Sequence, residues 1–103
     1  MKAVKVQYTV QEHYIEENKR NIQKVMQALK DNPIEGMLYS SYTDQENPNT
    51  FIHINMAADN ETMAKLNNVP EFISFRMALK ASQPKSPPKQ TTLDIVSASF
   101  EIA

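Results

Sequence analysis

Few side chains in this sequence have the chemistry of a catalytic group, and His53 is the strongest candidate among them. It lies between Ile52 and Ile54 in an apolar run, where an imidazole destabilises the fold unless it is hydrogen-bonded. A histidine whose pKa stays near neutrality can serve as a general base. The sequence therefore predicts either a catalytic role for His53 or a hydrogen-bonded histidine at an interface.

Four further side chains are candidates for holding a ligand. Tyr39 and Tyr42 offer flat rings and hydroxyl groups, and Asn55 follows His53 by two residues, within reach of the same site. Arg76 offers a planar cation that suits a carboxylate or an enolate, although arginines on helix surfaces more often pair with a nearby acid. We therefore predict ligand contacts from Tyr39, Tyr42, Asn55 and Arg76.

Metal and phosphate chemistry have little support in the sequence. There is no cysteine, which excludes thiol nucleophiles and thiolate zinc sites, and the single glycine excludes glycine-rich phosphate loops. His13 and His53 do not stand at a spacing typical of metal ligands. We predict no metal and no cofactor.

Length and charge limit the class of protein. The 103 residues suit one domain, predicted to cover residues 1–103, and eleven basic residues balance twelve acidic ones. Such a balance indicates neither nucleic acid nor an anionic membrane as a partner. The N-terminal residues lack the apolar core of a signal peptide, and no apolar run is long enough to span a membrane. With no cysteine, these features predict a cytoplasmic protein.

The first half of the chain predicts a strand, a helix and a hairpin. Val4, Val6, Tyr8 and Val10 alternate with polar residues, which is typical of a half-buried strand and points Tyr8 toward the helices. A helix follows over Tyr14–Lys30, with an apolar stripe that includes Asn18. Two strands come next, over Gly36–Thr43 and Thr50–Ala57, and the turn-forming residues Asp44–Asn49 join them into a hairpin.

The second half predicts an interrupted helix and a last strand. Asp59 or Asn60 caps a short helix, and after a break a second helix runs from Pro70 to Lys80. Ser82–Gln90 contains three prolines and is expected to be an extended connector. The last strand is expected over Thr91–Ile102. Its apolar residues change from one parity to the other along this segment, which indicates either a bulge or a strand covered on both faces.

The order βαββαβ predicts a ferredoxin-like α+β fold, with a four-stranded antiparallel sheet and the helices on one face. If Ile52, Ile54 and Met56 face the helices, the other face carries Phe51, His53, Asn55 and Ala57. An apolar face of this kind is best covered by a second copy of the chain, so we predict an isologous homodimer. The connector would let the last strand reach the partner's sheet.

Three stretches carry a resemblance to a known family. They are Tyr8–Val10 with Glu16–Asn18, then Gly36–Tyr42, and finally Phe51–Ile54 with Leu66 and Pro70–Phe75. Together they resemble the dimeric α+β barrel superfamily, and specifically a short branch of the antibiotic biosynthesis monooxygenase-like domains. The resemblance implies a homodimer with a small-molecule pocket between sheet and helices, and activities such as cofactor-free oxygenation, haem degradation or isomerisation.

The sequence departs from the active branches of that superfamily at two points. It has no tryptophan, and Pro70–Lys80 contains no histidine for a haem iron, so the resemblance does not favour haem degradation. Two functions stay open. One is a cofactor-free monooxygenase-like or isomerase-like enzyme, in which His53 removes a proton from a flat substrate and a tyrosine or Asn55 stabilises the enolate. The alternative is a non-catalytic homodimer that binds a small molecule or another protein.

Overall fold

One antiparallel sheet and three helices make up the fold of the computed structural model, which describes residues 1–101. The strands are β1 (Lys2–Thr9), β2 (Met37–Thr43), β3 (Thr50–Ala57) and β4 (Ser86–Leu93), in the sheet order β2-β3-β1-β4. The helices are α1 (Ile15–Asp31), α2 (Asn60–Ala64) and α3 (Pro70–Ala81), with 3-10 turns over Glu12–Tyr14 and Lys65–Asn68. This architecture confirms the predicted ferredoxin-like α+β fold.

The helices follow from local sequence signals. In α1 the apolar stripe buries Ile22 and Val25, and the helix ends where Pro33 removes an amide donor and disfavours helical geometry at Asn32. Asp59 caps α2 by accepting a hydrogen bond from the Thr62 amide at 2.7 Å. In α3 the first position is Pro70, where a missing amide hydrogen destabilises nothing.

The core lies between the sheet and the two longer helices. Tyr8 and Phe51 project from β1 and β3, and their rings stack with centroids 5.6 Å apart. Against them pack residues of α1 and α3, so both helices cover the same face of the sheet, as predicted. The buried members of the cluster are Tyr8, Val10, Tyr14, Ile22, Val25, Phe51, Phe75 and Leu79.

The predicted orientation of β3 was wrong. Phe51, His53 and Ala57 are buried, whereas Ile52, Ile54 and Met56 face away from the helices and are half-buried. The parity of Ile52, Ile54 and Met56 is the more apolar one, yet it faces away from the helices, so the pattern of β3 alone does not decide which face is buried. Its pairing with β1 does: Tyr8 stands opposite Phe51, so both side chains share the helix-covered face.

The predicted position of the last strand was also wrong. β4 covers Ser86–Leu93, so much of the proposed connector is strand, and residues 94–101 are not in a strand. Ile102, the predicted end, lies outside the described residues. Pro87 and Pro88 are tolerated because β4 is an edge strand and because the register shifts between Gln7 and Thr9 of β1, which places the two prolines in a bulge.

The sheet face opposite the helices is exposed and partly apolar. Leu38 is 47% exposed, Tyr42 53% and Leu93 37%, and they share this face with the half-buried Ile52, Ile54 and Met56 of β3. The sequence-based expectation of an apolar open face is therefore met by these side chains rather than by Phe51. Within residues 1–101, no helix is both long enough and apolar enough to cross a membrane.

Candidate functional site

A cavity of about 570 Å³ lies between the helix-covered face of the sheet and the segment that contains α2 and α3. Tyr39, His53 and Asn55 line it from β2 and β3, and Phe72 and Arg76 line it from α3. A volume of this size falls within the range of roughly 300–1,000 Å³ that is usual for small-molecule sites.

The structure brings four of the five predicted site residues to this cavity. His53, Tyr39, Asn55 and Arg76 all line it. Tyr42 does not, because it projects from the opposite face of β2, where its hydroxyl lies 2.8 Å from Ser40 Oγ. Tyr8 lines the cavity as well, since it projects from the helix-covered face of β1, the orientation that the sequence predicted.

His53 is held between two tyrosines. Its side chain is almost fully buried, with the residue 4% exposed, and its Nε2 lies 2.8 Å from the Tyr8 hydroxyl. Its Nδ1 lies 2.9 Å from the Tyr39 hydroxyl. The rings of both tyrosines stack on the imidazole, with centroids 5.4 and 5.7 Å away, and Phe75 covers it at 5.5 Å. Both ring nitrogens are therefore occupied by hydroxyl groups.

A buried amide extends this contact to α1. Asn18 Nδ2 donates a hydrogen bond to the Tyr8 hydroxyl at 2.9 Å, and Asn18 has no exposed surface. Sequence reasoning placed Asn18 on the apolar stripe of α1 without giving it a role. The available signal was a polar amide at a stripe position, because such a group is buried only with a partner.

Burial controls the charge of this cluster. It lowers the pKa of His53 to about 4, because an imidazolium in this apolar surrounding loses its hydration. The same loss of hydration raises the pKa of Tyr8 and of Tyr39 above that of a free phenol. Near neutral pH the imidazole and both hydroxyls are therefore uncharged.

The charged side chains on the cavity wall have one sign. Lys2 and Arg76 line the cavity, and no aspartate or glutamate is among the described residues that do. The Arg76 guanidinium lies 5.7 Å from the centre of the Phe72 ring, a cation–π contact, and the residue is exposed. The wall therefore favours an anion over a cation.

Asn55 adds an unused acceptor. Its Oδ1 is buried, and within residues 1–101 it has no hydrogen-bond partner. Because a buried polar oxygen is usually paired, this atom is suited to accept a hydrogen bond from a ligand.

A second cavity of about 490 Å³ adjoins the first between α3 and β4. Arg76 lines both cavities, and apolar side chains such as Ile73, Met77 and Pro87 dominate the second. The cation therefore stands where the two spaces meet.

Comparison with solved structures supports the fold. A crystal structure of an antibiotic biosynthesis monooxygenase is 17% identical, with a TM-score of 0.80, over 94% of this chain and 100% of that one. SnoaB, a cofactor-independent oxygenase from Streptomyces nogalater, is 15% identical, with a TM-score of 0.72, over 97% of each chain. A protein from Deinococcus radiodurans, described as a proposed antibiotic biosynthesis monooxygenase, is 16% identical, with a TM-score of 0.78, over the whole of both chains.

Sequence comparison adds no closer assignment. No model of a known protein family matches the chain, and no curated protein matches it. The chain thus has the ferredoxin-like α+β fold of the antibiotic biosynthesis monooxygenase-like proteins, which confirms the resemblance at the level of fold.

Proposed function

We propose that this protein binds a flat hydroxylated aromatic or enolisable molecule as its conjugate base, and that it acts on it as a cofactor-independent monooxygenase-like enzyme. The observation that carries the proposal is the composition of the cavity wall. It combines the Tyr39 hydroxyl, the Arg76 cation and aromatic rings with no carboxylate among the described residues.

The wall suits each part of such a ligand. Phe72 and Phe75 offer ring faces for a flat apolar body. Arg76 and a hydroxyl donor stabilise a phenolate or enolate oxygen, which lowers the pKa of the bound ligand. The unpaired Oδ1 of Asn55 accepts a hydrogen bond from a further hydroxyl group of the ligand. A polyhydroxylated ring system matches this pattern better than a simple hydrocarbon does.

His53 acts on the ligand through Tyr39 in this proposal. Both imidazole nitrogens already contact tyrosine hydroxyls, and the low pKa makes the ring a weak proton acceptor. Hydrogen-bonded to the Tyr39 hydroxyl, His53 fixes its orientation toward the ligand oxygen. Direct proton removal by His53 stays a prediction, and it requires that one tyrosine move away.

The oxygenation step needs only the ligand anion and dioxygen. A ring methylene conjugated with a carbonyl through the aromatic rings loses one proton to solvent, and the resulting carbanion transfers electrons to dioxygen as a carbon–oxygen bond forms. The peroxide anion takes up a proton. The oxygen–oxygen bond then breaks as the second hydrogen of the carbon leaves, which gives a carbonyl and one water. The methylene and one dioxygen thus become one carbonyl and one water.

The quaternary structure that we propose is a homodimer formed through the open sheet face. Exposed Leu38, Tyr42 and Leu93 share that face with the half-buried apolar residues of β3, in a surface that a second copy would cover symmetrically. The cytoplasmic location indicated by the cysteine-free composition stays a prediction.

Oxygen uptake with anthrone tests the enzymatic function. Anthrone is flat and has an acidic methylene, and its oxygenation gives anthraquinone. We expect the protein to accelerate uptake, Tyr39→Phe to abolish most of the acceleration, and Tyr42→Phe, a matched change on the other face of β2, to preserve it. Anthrone that binds without accelerated uptake would contradict the oxygenase. Conversion of anthrone to an isomer without oxygen uptake would support an isomerase. Binding of anthrone without any conversion would support the non-catalytic alternative.

A further inference from the structure

A chain of three hydrogen bonds crosses the protein from α1 to the cavity. Asn18 Nδ2 lies 2.9 Å from the Tyr8 hydroxyl, and that hydroxyl lies 2.8 Å from His53 Nε2. His53 Nδ1 lies 2.9 Å from the Tyr39 hydroxyl, which belongs to the cavity wall. We infer that Asn18 is a positioning residue, which sets the direction of this chain so that Tyr39 donates its hydroxyl hydrogen to an acceptor oxygen of the ligand.

The direction begins at the Asn18 amide. Its Nδ2 donates to Tyr8, and its Oδ1 is buried and, like that of Asn55, has no partner within residues 1–101. Rotating the amide by half a turn would pair the oxygen with Tyr8 and leave the whole amino group unpaired. Buried backbone N–H groups are left unpaired more rarely than carbonyl oxygens, and the same preference, applied to this side-chain amide, favours the placement found here. Tyr8 therefore accepts from Asn18.

The next two bonds follow from counting hydrogens. Because Asn18 donates to the Tyr8 oxygen, the hydrogen of the Tyr8 hydroxyl is free to point at His53 Nε2, which accepts it. A neutral imidazole carries one hydrogen, so that hydrogen is then on Nδ1. Nδ1–H donates in turn to the Tyr39 oxygen at 2.9 Å.

The last hydrogen of the chain faces the ligand. With its oxygen already accepting from His53, the Tyr39 hydroxyl has its own hydrogen left to donate. A hydroxyl that accepts a hydrogen bond is a stronger donor, since neighbouring bonds in a chain polarise one another. This step rests on the proposed function: a donating Tyr39 hydroxyl favours ligands that place a carbonyl, phenolate or enolate oxygen beside it. It disfavours ligands that place an N–H or ammonium group there.

The tautomer of His53 in the ligand-free protein tests the direction. Nitrogen-15 NMR distinguishes a protonated from an unprotonated imidazole nitrogen, and the chain has only two histidines, so a His13→Gln variant assigns the spectrum. We expect wild-type His53 to be protonated at Nδ1. Protonation at Nε2, or an even mixture, would overturn the inference without any variant.

Two matched variants test the role of Asn18. An ionised carboxylate accepts but does not donate, so Asn18→Asp, studied above neutral pH, should reverse the chain and move the hydrogen of His53 to Nε2. Asn21→Asp is the control, because Asn21 also lies on α1 and donates to a tyrosine, Tyr14, that does not contact His53. An unchanged tautomer in Asn18→Asp would overturn the inference, as would an equal change in Asn21→Asp.

Binding of para-nitrophenolate separates this inference from the proposed function. Hydrogen bonds to charged groups contribute about 1.5–3 kcal/mol, so Asn18→Asp should weaken binding roughly ten- to a hundredfold, and Asn21→Asp should not. A reversed tautomer with unchanged affinity would contradict the link to the ligand. If wild-type His53 has the predicted tautomer but the protein binds no phenolate, the proposed function is refuted. The inferred direction of the hydrogen-bond chain is then still supported.

If Asn18→Asp does not fold, Asn18→Leu also tests whether Asn18 sets the tautomer of His53. Leucine is of similar size and neither donates nor accepts, so Tyr8 loses its fixed direction. We expect both tautomers of His53 to be populated in that variant, and a spectrum identical to wild type would count against the role of Asn18.

Discussion

The Nδ1 atom of His53 lies 2.9 Å from the hydroxyl oxygen of Tyr39, between diagonal neighbours on β3 and β2. This contact joins two side chains of the same cavity wall. Because burial keeps the imidazole uncharged near neutral pH, the pair would offer the proposed ligand a neutral donor rather than a charged acid. The charged side chains on the cavity wall are Lys2 and Arg76, and both are positive.

Protonation of His53 should destabilise the fold in acid. Its pKa falls from 6.5 in the unfolded chain to about 4 in the folded one, so between these values only the unfolded state binds the proton. The stability of the native state is complete above pH 6.5 and declines as the pH falls to 4, by about 3 kcal/mol from this group. Urea unfolding across this interval measures the decline.

The control for this pH dependence is the second histidine. In His53→Gln the free energy of unfolding should no longer show this part of its decline between pH 6.5 and 4. His13→Gln should keep the decline, because His13 is exposed. Carboxylates titrate in all three proteins, so the comparison isolates His53. Equal slopes in wild type and His53→Gln would show that the imidazole is not held neutral by burial.

Removing the Tyr8 hydroxyl should destabilise the protein more than removing that of Tyr14. Tyr8→Phe leaves His53 Nε2 and the Asn18 amide without their partner, and an unpaired buried polar group costs about 1–3 kcal/mol. Tyr14→Phe loses only a long contact to Asn21 at 3.4 Å. Thermal or urea unfolding compares the two, and a smaller loss in Tyr8→Phe would contradict the network.

Most of the fold is readable from the sequence, and its failures have clear causes. The apolar stripe of α1, the Asp59 cap and Pro70 at the start of α3 act locally, so their elements were predicted correctly. The more apolar parity of β3 faces away from the helices, so only its pairing with β1 shows which side is buried. Proline normally argues against a strand, but Pro87 and Pro88 sit in a bulge at the sheet edge.

The sequence predicted four residues that line the candidate site, but it did not predict the contacts that connect them. His53, Tyr39, Asn55 and Arg76 could be named from residue type and position, and all four line one cavity. The link from His53 through Tyr8 to Asn18 joins residues 45 and 10 positions apart. Such contacts depend on how the helix lies on the sheet, which no local pattern in the sequence specifies.

Arg76 should contribute to anion binding through its charge. Because it is exposed, we expect Arg76→Gln to weaken binding of para-nitrophenolate only several-fold, and the effect to shrink as salt is raised. Lys80→Gln is the matched control, since it removes the same charge one turn along α3 and lines only the second cavity. Equal losses in both variants would indicate a general field effect rather than a contact by Arg76.

Charge on the open sheet face should prevent dimerisation. We expect wild-type protein to sediment at twice the mass of one chain and a Leu38→Glu variant to sediment as a monomer, because a carboxylate would be buried against its own copy. Met77→Glu is the control: it changes an exposed methionine on α3, away from that face. Wild-type protein that stays monomeric at micromolar concentration would contradict the proposed homodimer.

The ionisation of bound para-nitrophenol tests most directly whether the cavity selects an anion. Its phenolate and phenol forms differ in colour, so a pH titration of the complex measures the pKa of the bound ligand. The proposed site predicts a pKa below that of the free compound, because Arg76 and the Tyr39 hydroxyl stabilise the phenolate, and a return toward the free value in Tyr39→Phe. A bound pKa above that of the free compound would mean that the cavity prefers the neutral molecule, and it would contradict this function.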